Sequence, residues 1–267
     1  MRVRLAVIAL AICALAASAA AQAAQPTSAT AKLTRSLRSP YLSLGRTAAL
    51  AVSLHTGQVL YAHNETVPVL PASNEKVPVS WAALVRLGPG FRFRTTVTGT
   101  GTLRGATWDG NLILKGYGDP TLSVADLDRL AARVRAAGIL AVRGRVLGDE
   151  SFFDGRRAVP GWKRGYVGLE TPPLSALVVD RARGWPALSP PLLAARAFTE
   201  ALARRGVSVA GRPGLGTAPE TGEPIAVDQS VRLRVIVHRL NRDSDNFTAE
   251  MLLKQLGTLD GNAGTSA

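Results

Sequence analysis

The chain has 267 residues, 46% of them hydrophobic and 19% charged, with a formal net charge of +13. That is enough for one large domain or two smaller ones with an ordinary core, and it excludes an intrinsically disordered chain. A lone cysteine excludes an internal disulfide, and arginines scattered without an aromatic-interleaved basic stripe leave no case for a nucleic-acid partner.

In chain order, the first element is a targeting segment. Arg2 and Arg4 open it, Leu5 to Ala17 form a continuous apolar run, and Ala21-Gln22-Ala23 supplies a small-x-small cleavage pattern. This predicts a secretory signal peptide over residues 1–24 and an exported protein, periplasmic or otherwise extracytoplasmic, in the cell envelope. The run is too short to span a bilayer comfortably. Cys13 lies inside it; Leu10-Ala11-Ile12-Cys13 is a weak lipoprotein box because Ile12 fits poorly before the cysteine. The mature chain then has no thiol nucleophile and no cysteine ligand for a metal. Its basic balance would draw it to anionic envelope polymers, although an arginine-rich genome produces the same charge.

Residues 26–46 are polar and rich in Ala, Ser and Thr, and read as a leader into the fold. Thr47–Leu54 and Val59–His63 predict a hairpin turning at Gly57. Pro71-Ala72-Ser73-Asn74-Glu75-Lys76 leads into an apolar helix ending near Gly88, with Pro78 inside it as a kink. Strands follow at Thr95–Thr100 and Asn111–Lys115. A helix spans Ser123–Gly138, with Ser123 and Asp126 as its capping box and Gly138 as its stop. Val142–Leu147 predicts a strand, and Ser189-Pro190 starts a helix reaching Gly206. Ser230 is placed to cap a helix through Val231, Val235, Val237 and Leu240. Asp243-Ser244-Asp245-Asn246 interrupts it before a last helix through Ala249, Leu252 and Leu256.

Two short motifs carry chemistry. Ser73 and Lys76 stand at i and i+3 of a helix start, on one face, so the amine reaches the hydroxyl. Serine is a weak nucleophile that needs an adjacent base, and the helix start offers N–H groups to a developing oxyanion. Alone, Ser-x-x-Lys also fits a helix cap followed by a solvated lysine, but the chain has only five lysines. Ser244-Asp245-Asn246, 171 residues beyond Ser73, fits a plain helix–helix turn, or a second hydroxyl and an amide for substrate. The ordered pair is a stronger signal than either member. His55, His63 and His238 have no ligand spacing and read as structural.

These motifs resemble the first two of the penicillin-recognising serine enzymes. The long gap, together with Gly116-Tyr117-Gly118-Asp119-Pro120-Thr121-Leu122, Asp149-Glu150-Ser151-Phe152-Phe153-Asp154, Pro173-Leu174-Ser175-Ala176-Leu177 and Asn241-Arg242-Asp243 before the second motif, resembles the peptidase S13 family of D-alanyl-D-alanine carboxypeptidase/endopeptidases. The resemblance implies a mixed α/β, β-lactamase/transpeptidase-like core in two segments, residues 25–94 and 230–267, split by an inserted β-rich α+β region at 95–229. It implies Ser73 as the acylated nucleophile, Lys76 as its base, Ser244 as proton relay and Asn246 as substrate-binding. Peptidoglycan stem peptides would be the substrate and β-lactams covalent inhibitors, with no metal or cofactor.

One part of the pattern is missing. The family's third motif, Lys-Thr-Gly on a strand, does not occur, and Lys254-Gln255-Leu256-Gly257-Thr258 falls on a helix and its end. In the family the N-terminal hairpin pairs with strands later than Ala267. The expectation is therefore a C-terminally truncated product, inactive or nearly so. The alternative is a non-catalytic, degenerate peptidoglycan-binding envelope protein.

Overall fold

The computed structural model describes residues 28–163, 165–184, 189–261 and 264–265, so the signal segment and Cys13 lie outside the described residues. No described helix is long and apolar enough to cross a membrane. The chain divides into two compact units, Met1–Pro71 and Ala72–Ala267.

In the first unit, helix α1 (Ser28–Leu37) lies within the segment read as a leader into the fold, for which the sequence predicts no helix. Ala31, Lys32 and Leu33 are good helix formers, which the polar composition of the segment conceals. Strands β1 (Ala49–Val52) and β2 (Val59–His63) pair antiparallel from Ala49 opposite His63. Gly57 turns the hairpin at φ 73°, a conformation that costs glycine little. Among the described residues the two strands pair only with each other, and no residue from 29 to 71 is buried.

The second unit opens with a 3₁₀ turn, Ala72–Glu75, running into helix α2 (Lys76–Leu87). The expected kink at Pro78 has no cause here. Pro78 is the third residue of the α-helix, where an N–H has no partner inside the helix to lose.

A seven-stranded sheet follows. β3 (Arg94–Arg104) and β4 (Thr107–Gly116) form a long antiparallel hairpin with Thr95 opposite Gly116. β4 then accepts two short parallel strands end to end on its other edge: β5 (Ala141–Val142) beside Thr107–Trp108 and β6 (Val146–Asp149) beside Leu112–Lys115. The single strand expected over Val142–Leu147 is thus two. They break at Gly144, where a Cβ would stand 2.3 Å from the Gly110 carbonyl oxygen. β7 (Ser208–Val209) and β8 (Gly214–Leu215) pair with β5 and β6, and β9 (Ala226–Gln229) pairs with the start of β3. β7 and β8 have two residues each, too few for periodicity to reveal.

Two helices cover one face of this sheet. α3 (Val124–Ala136) carries the full capping box between Ser123 and Asp126, and Gly138 follows it at φ 86°. α4 (Pro190–Arg204) carries proline in its first turn, and Ser189 precedes it without a side-chain cap bond. Leu127, Leu130, Val134, Phe198 and Leu202 of these helices close with Val97, Leu112 and Leu114 of the sheet into the largest core cluster.

A second cluster joins α2 to α5 (Leu233–Asp243) and α6 (Asn246–Gly257), through Ala83, Phe93, Leu233, Ile236, Leu240 and Leu252. Ser230 does not cap α5. That position belongs to Arg232, and the Ser230 hydroxyl accepts the Phe93 N–H at 2.9 Å and donates to the Val231 carbonyl. Tertiary contact with the strand entrance takes the hydroxyl that local sequence assigns to the helix. The fold is a mixed α/β one, in which sheet-bearing residues separate α2 from α5 and α6.

Candidate active site

Ser73 sits in the 3₁₀ turn before α2, and Lys76 is the first residue of the helix. The preceding Ala72 is held at φ 48°, a left-handed conformation uncommon for a residue with a Cβ. This places Ser73 in the open while Lys76 is buried, 8% exposed. Lys76 Nζ donates to Ser73 Oγ at 3.0 Å.

The break between α5 and α6 supplies the other half. Ser244 ends α5 at φ 53°, and its Oγ lies 3.0 Å from Ser73 Oγ, donating to it. Residues 171 apart in sequence therefore meet at one hydroxyl. α2 and α5 are also tied beneath the site, where the buried Ser80 donates to Asn241 Oδ1 at 3.0 Å.

Asp245 caps α6, accepting from the N–H groups of Phe247 and Thr248 and from Thr248 Oγ1 at 2.7 Å. Burial pushes the Asp245 carboxyl up, but the hydrogen bonds from Arg181 and Thr248 outweigh it, and its pKa lies below the ordinary carboxylate value. Asn246, the first residue of α6, donates through Nδ2 to the Tyr166 hydroxyl at 2.7 Å.

All four residues expected to form the site are thereby brought together: Ser73, Lys76 and Ser244 in direct contact, and Asn246 on the same cavity as Lys76. That cavity is about 260 Å³, and Val79, Trp162, Tyr166 and Leu253 form much of its apolar wall. Trp162 and Tyr166 are missed by sequence reasoning. Their rings stand 5.0 Å apart, in an irregular turn around Gly165 and Gly168. No periodic or motif signal marks such a turn. Its glycines are the one hint, and glycine-bounded loops are common.

The other family-like stretches bond to one another and pack against α6. Ser175 Oγ donates to Glu150 Oε2 at 2.6 Å, and Arg157 joins Glu150 to the Leu174 carbonyl. Gly118 N–H donates to the Ala176 carbonyl at 2.9 Å. A Cβ on Gly116 would stand 2.1 Å from that same oxygen, so the close approach requires glycine. Phe153, Leu174, Ala176, Val178 and Ala182 then pack on Phe247 and Met251 of α6. Lys254-Gln255-Leu256-Gly257-Thr258 lies on α6 and the 3₁₀ turn after it, away from any described strand. Among the described residues, no three His, Cys, Asp or Glu side chains are grouped to hold a metal ion.

Comparison with known proteins gives the family and the fold. Residues 29–191 and 184–267 match the model of the D-Ala-D-Ala carboxypeptidase 3 (S13) family. The chain is 29% identical to a D-alanyl-D-alanine carboxypeptidase of Actinomadura sp. (strain R39), covering 86% of this chain and 57% of that protein. It is also 29% identical to carboxypeptidase DacB of Mycolicibacterium smegmatis, covering 85% and 51%. The chain thus spans about half the length of the curated relatives it matches. Its fold is similar to that of penicillin binding protein 4 (dacB) from Haemophilus influenzae, with a TM-score of 0.69, 22% identity, and coverage of 82% of this chain and 66% of that one. A second structure of that protein, complexed with a β-lactam, matches with a TM-score of 0.63 at 20% identity, over 82% and 64% of the two chains.

Proposed function

The chain belongs to the D-Ala-D-Ala carboxypeptidase 3 (S13) family, and from that premise we propose that it is a serine D-Ala-D-Ala carboxypeptidase/endopeptidase of exported type, acting on peptidoglycan stem peptides through an acyl-enzyme on Ser73. The observation that carries this reading is one hydroxyl, Ser73 Oγ, held 3.0 Å from both Lys76 Nζ and Ser244 Oγ. Residues 25–94 and 230–267 are read as the catalytic core, and 95–229 as the region inserted between them.

In the proposed reaction Ser73 Oγ attacks the carbonyl carbon of the D-Ala-D-Ala peptide bond, and its proton passes to the Lys76 amine. Ser244 bridges that proton toward the leaving nitrogen as the C–N bond breaks, which leaves an ester on Ser73 and releases the amine. Asn246 hydrogen-bonds the substrate from the start of α6. Water then attacks the ester, giving its proton through Lys76 to the departing Ser73 oxygen. A β-lactam would follow the first half, opening its ring amide to an ester on Ser73. The Haemophilus influenzae protein of similar fold is found in complex with a β-lactam, which supports β-lactam binding here.

A second reading keeps the peptidoglycan-binding shape without catalysis. Fluorescent penicillin separates the two. Acylation predicts a covalent label that mass spectrometry locates on Ser73 and that the Ser73→Ala variant loses. A folded wild-type chain that takes no label favours the binding protein.

A further inference from the structure

Asp180, Arg181 and Ala182 are three consecutive non-glycine residues in the left-handed region, with φ of 43°, 56° and 55°. Residues with a Cβ visit this region singly as a rule, and such a run persists only where its surroundings over-determine it. Here they do. Asp180 N–H donates to the Leu122 carbonyl at 3.0 Å and Ala182 N–H to the Val179 carbonyl at 2.8 Å. The Asp180 carboxylate takes the Val124 N–H at 3.4 Å, and Ala182 is buried in the cluster around Phe153 and Phe247.

The turn aims one side chain. The Arg181 guanidinium meets both carboxylate oxygens of Asp245, Nη1 to Oδ1 at 3.1 Å and Nη2 to Oδ2, and stands 5.2 Å from the centre of the Phe247 ring. Asp245 separates Ser244 from Asn246. A helix cap needs no arginine, since Asp245 already receives the N–H groups of Phe247 and Thr248 and the Thr248 hydroxyl. What the two-pronged pairing adds is a fixed plane for the carboxylate, and with it a fixed backbone on either side.

We propose that Arg181 is a positioning residue, which through Asp245 holds Ser244 Oγ against Ser73 Oγ. The inference rests on the acyl-enzyme reading. A displaced Ser244 slows proton transfer while leaving the binding surface in place, so loss of Arg181 acts on the chemical step. A misplacement of about 1 Å costs up to about a hundredfold in rate.

The test measures fluorescent-penicillin acylation of wild type, Arg181→Ala and Arg181→Lys, separating the first-order acylation rate from the dissociation constant of the initial complex, with a thermal melt on each. The expected result is an acylation rate at least about tenfold lower in Arg181→Ala, with the dissociation constant unchanged and activity partly restored by millimolar guanidinium ion. Arg181→Lys falls between, because an ammonium cannot grip both oxygens. A folded Arg181→Ala variant that acylates at the wild-type rate overturns the inference alone, as does a loss that guanidinium does not restore and that tracks the melting temperature. A wild-type chain that takes no label overturns the acyl-enzyme reading and the inference with it.

Discussion

Ser73 accepts two hydrogen bonds, from an amine that is shielded and from a hydroxyl that is exposed. In the proposed mechanism this asymmetry leaves the nucleophile open to substrate while its base is kept from bulk water. The Asn246–Tyr166 bond works on a smaller scale. Asn246 has a short side chain with a free rotor, and the phenol at 2.7 Å sets the direction of its amide. A neutral hydrogen bond contributes about 1 kcal/mol net, and 1.4 kcal/mol corresponds to tenfold in rate. Tyr166→Phe is therefore expected to slow penicillin acylation by about three- to tenfold with little change in melting temperature; an unchanged rate would show that the amide finds its orientation without the phenol.

α6 links two regions with different tasks. Its first turn carries Asn246 beside the cavity, and its last turn carries Lys254, which is 1% exposed. Lys254 is ion-paired with Asp154, donates to the Gly264 carbonyl at 3.4 Å, and stands 5.9 Å from the centre of the Phe153 ring. The lysine is thus spent on holding the helix to the 149–154 stretch. Removing the lysine strands a carboxylate that keeps 17% of its side chain exposed, at a cost of about 1–3 kcal/mol. Lys254→Ala should lower the urea unfolding free energy by that order. A change within about 0.5 kcal/mol, the size of an ordinary surface effect, would mean that Asp154 is solvated without its partner.

At the scale of the molecule, the sheet and helices α3 and α4 leave Asp119 buried near two other carboxylates. Burial pushes its pKa up to about 6; Asp126 and Asp228 add to the rise, and hydrogen bonds from Thr121 oppose it. A pKa higher in the folded state than in the unfolded chain means that the folded state binds the proton more tightly. The stabilisation is complete below about pH 4 and is lost as pH rises through 6, with a magnitude on the order of 3 kcal/mol. Asn at this position keeps an acceptor for Thr121 but does not titrate. The stability of Asp119→Asn relative to wild type should therefore climb between pH 4 and 6, as read from urea midpoints. A difference that stays flat over that range would place the Asp119 carboxyl near its ordinary value.

Residue order alone determined much of this protein. Ser-x-x-Lys, Ser-Asp-Asn and the stretches around Asp119, Glu150 and Ser175 identify the family, because each is a local pattern whose chemistry needs neighbours in sequence. Strong periodicity and caps likewise make α3 legible, and strand-forming runs mark parts of β3 and β4, though neither their full length nor their pairing. Tertiary structure decided the rest. Ser230 goes to Phe93 rather than to its helix, the strand at 142–147 breaks at Gly144 against Gly110, and Tyr166 meets Asn246 across 80 residues. Arg181 reaches Asp245 only because a left-handed turn aims it there. Contacts of this kind depend on packing between distant segments, and a local pattern holds no record of which partner a side chain will find once the chain has folded.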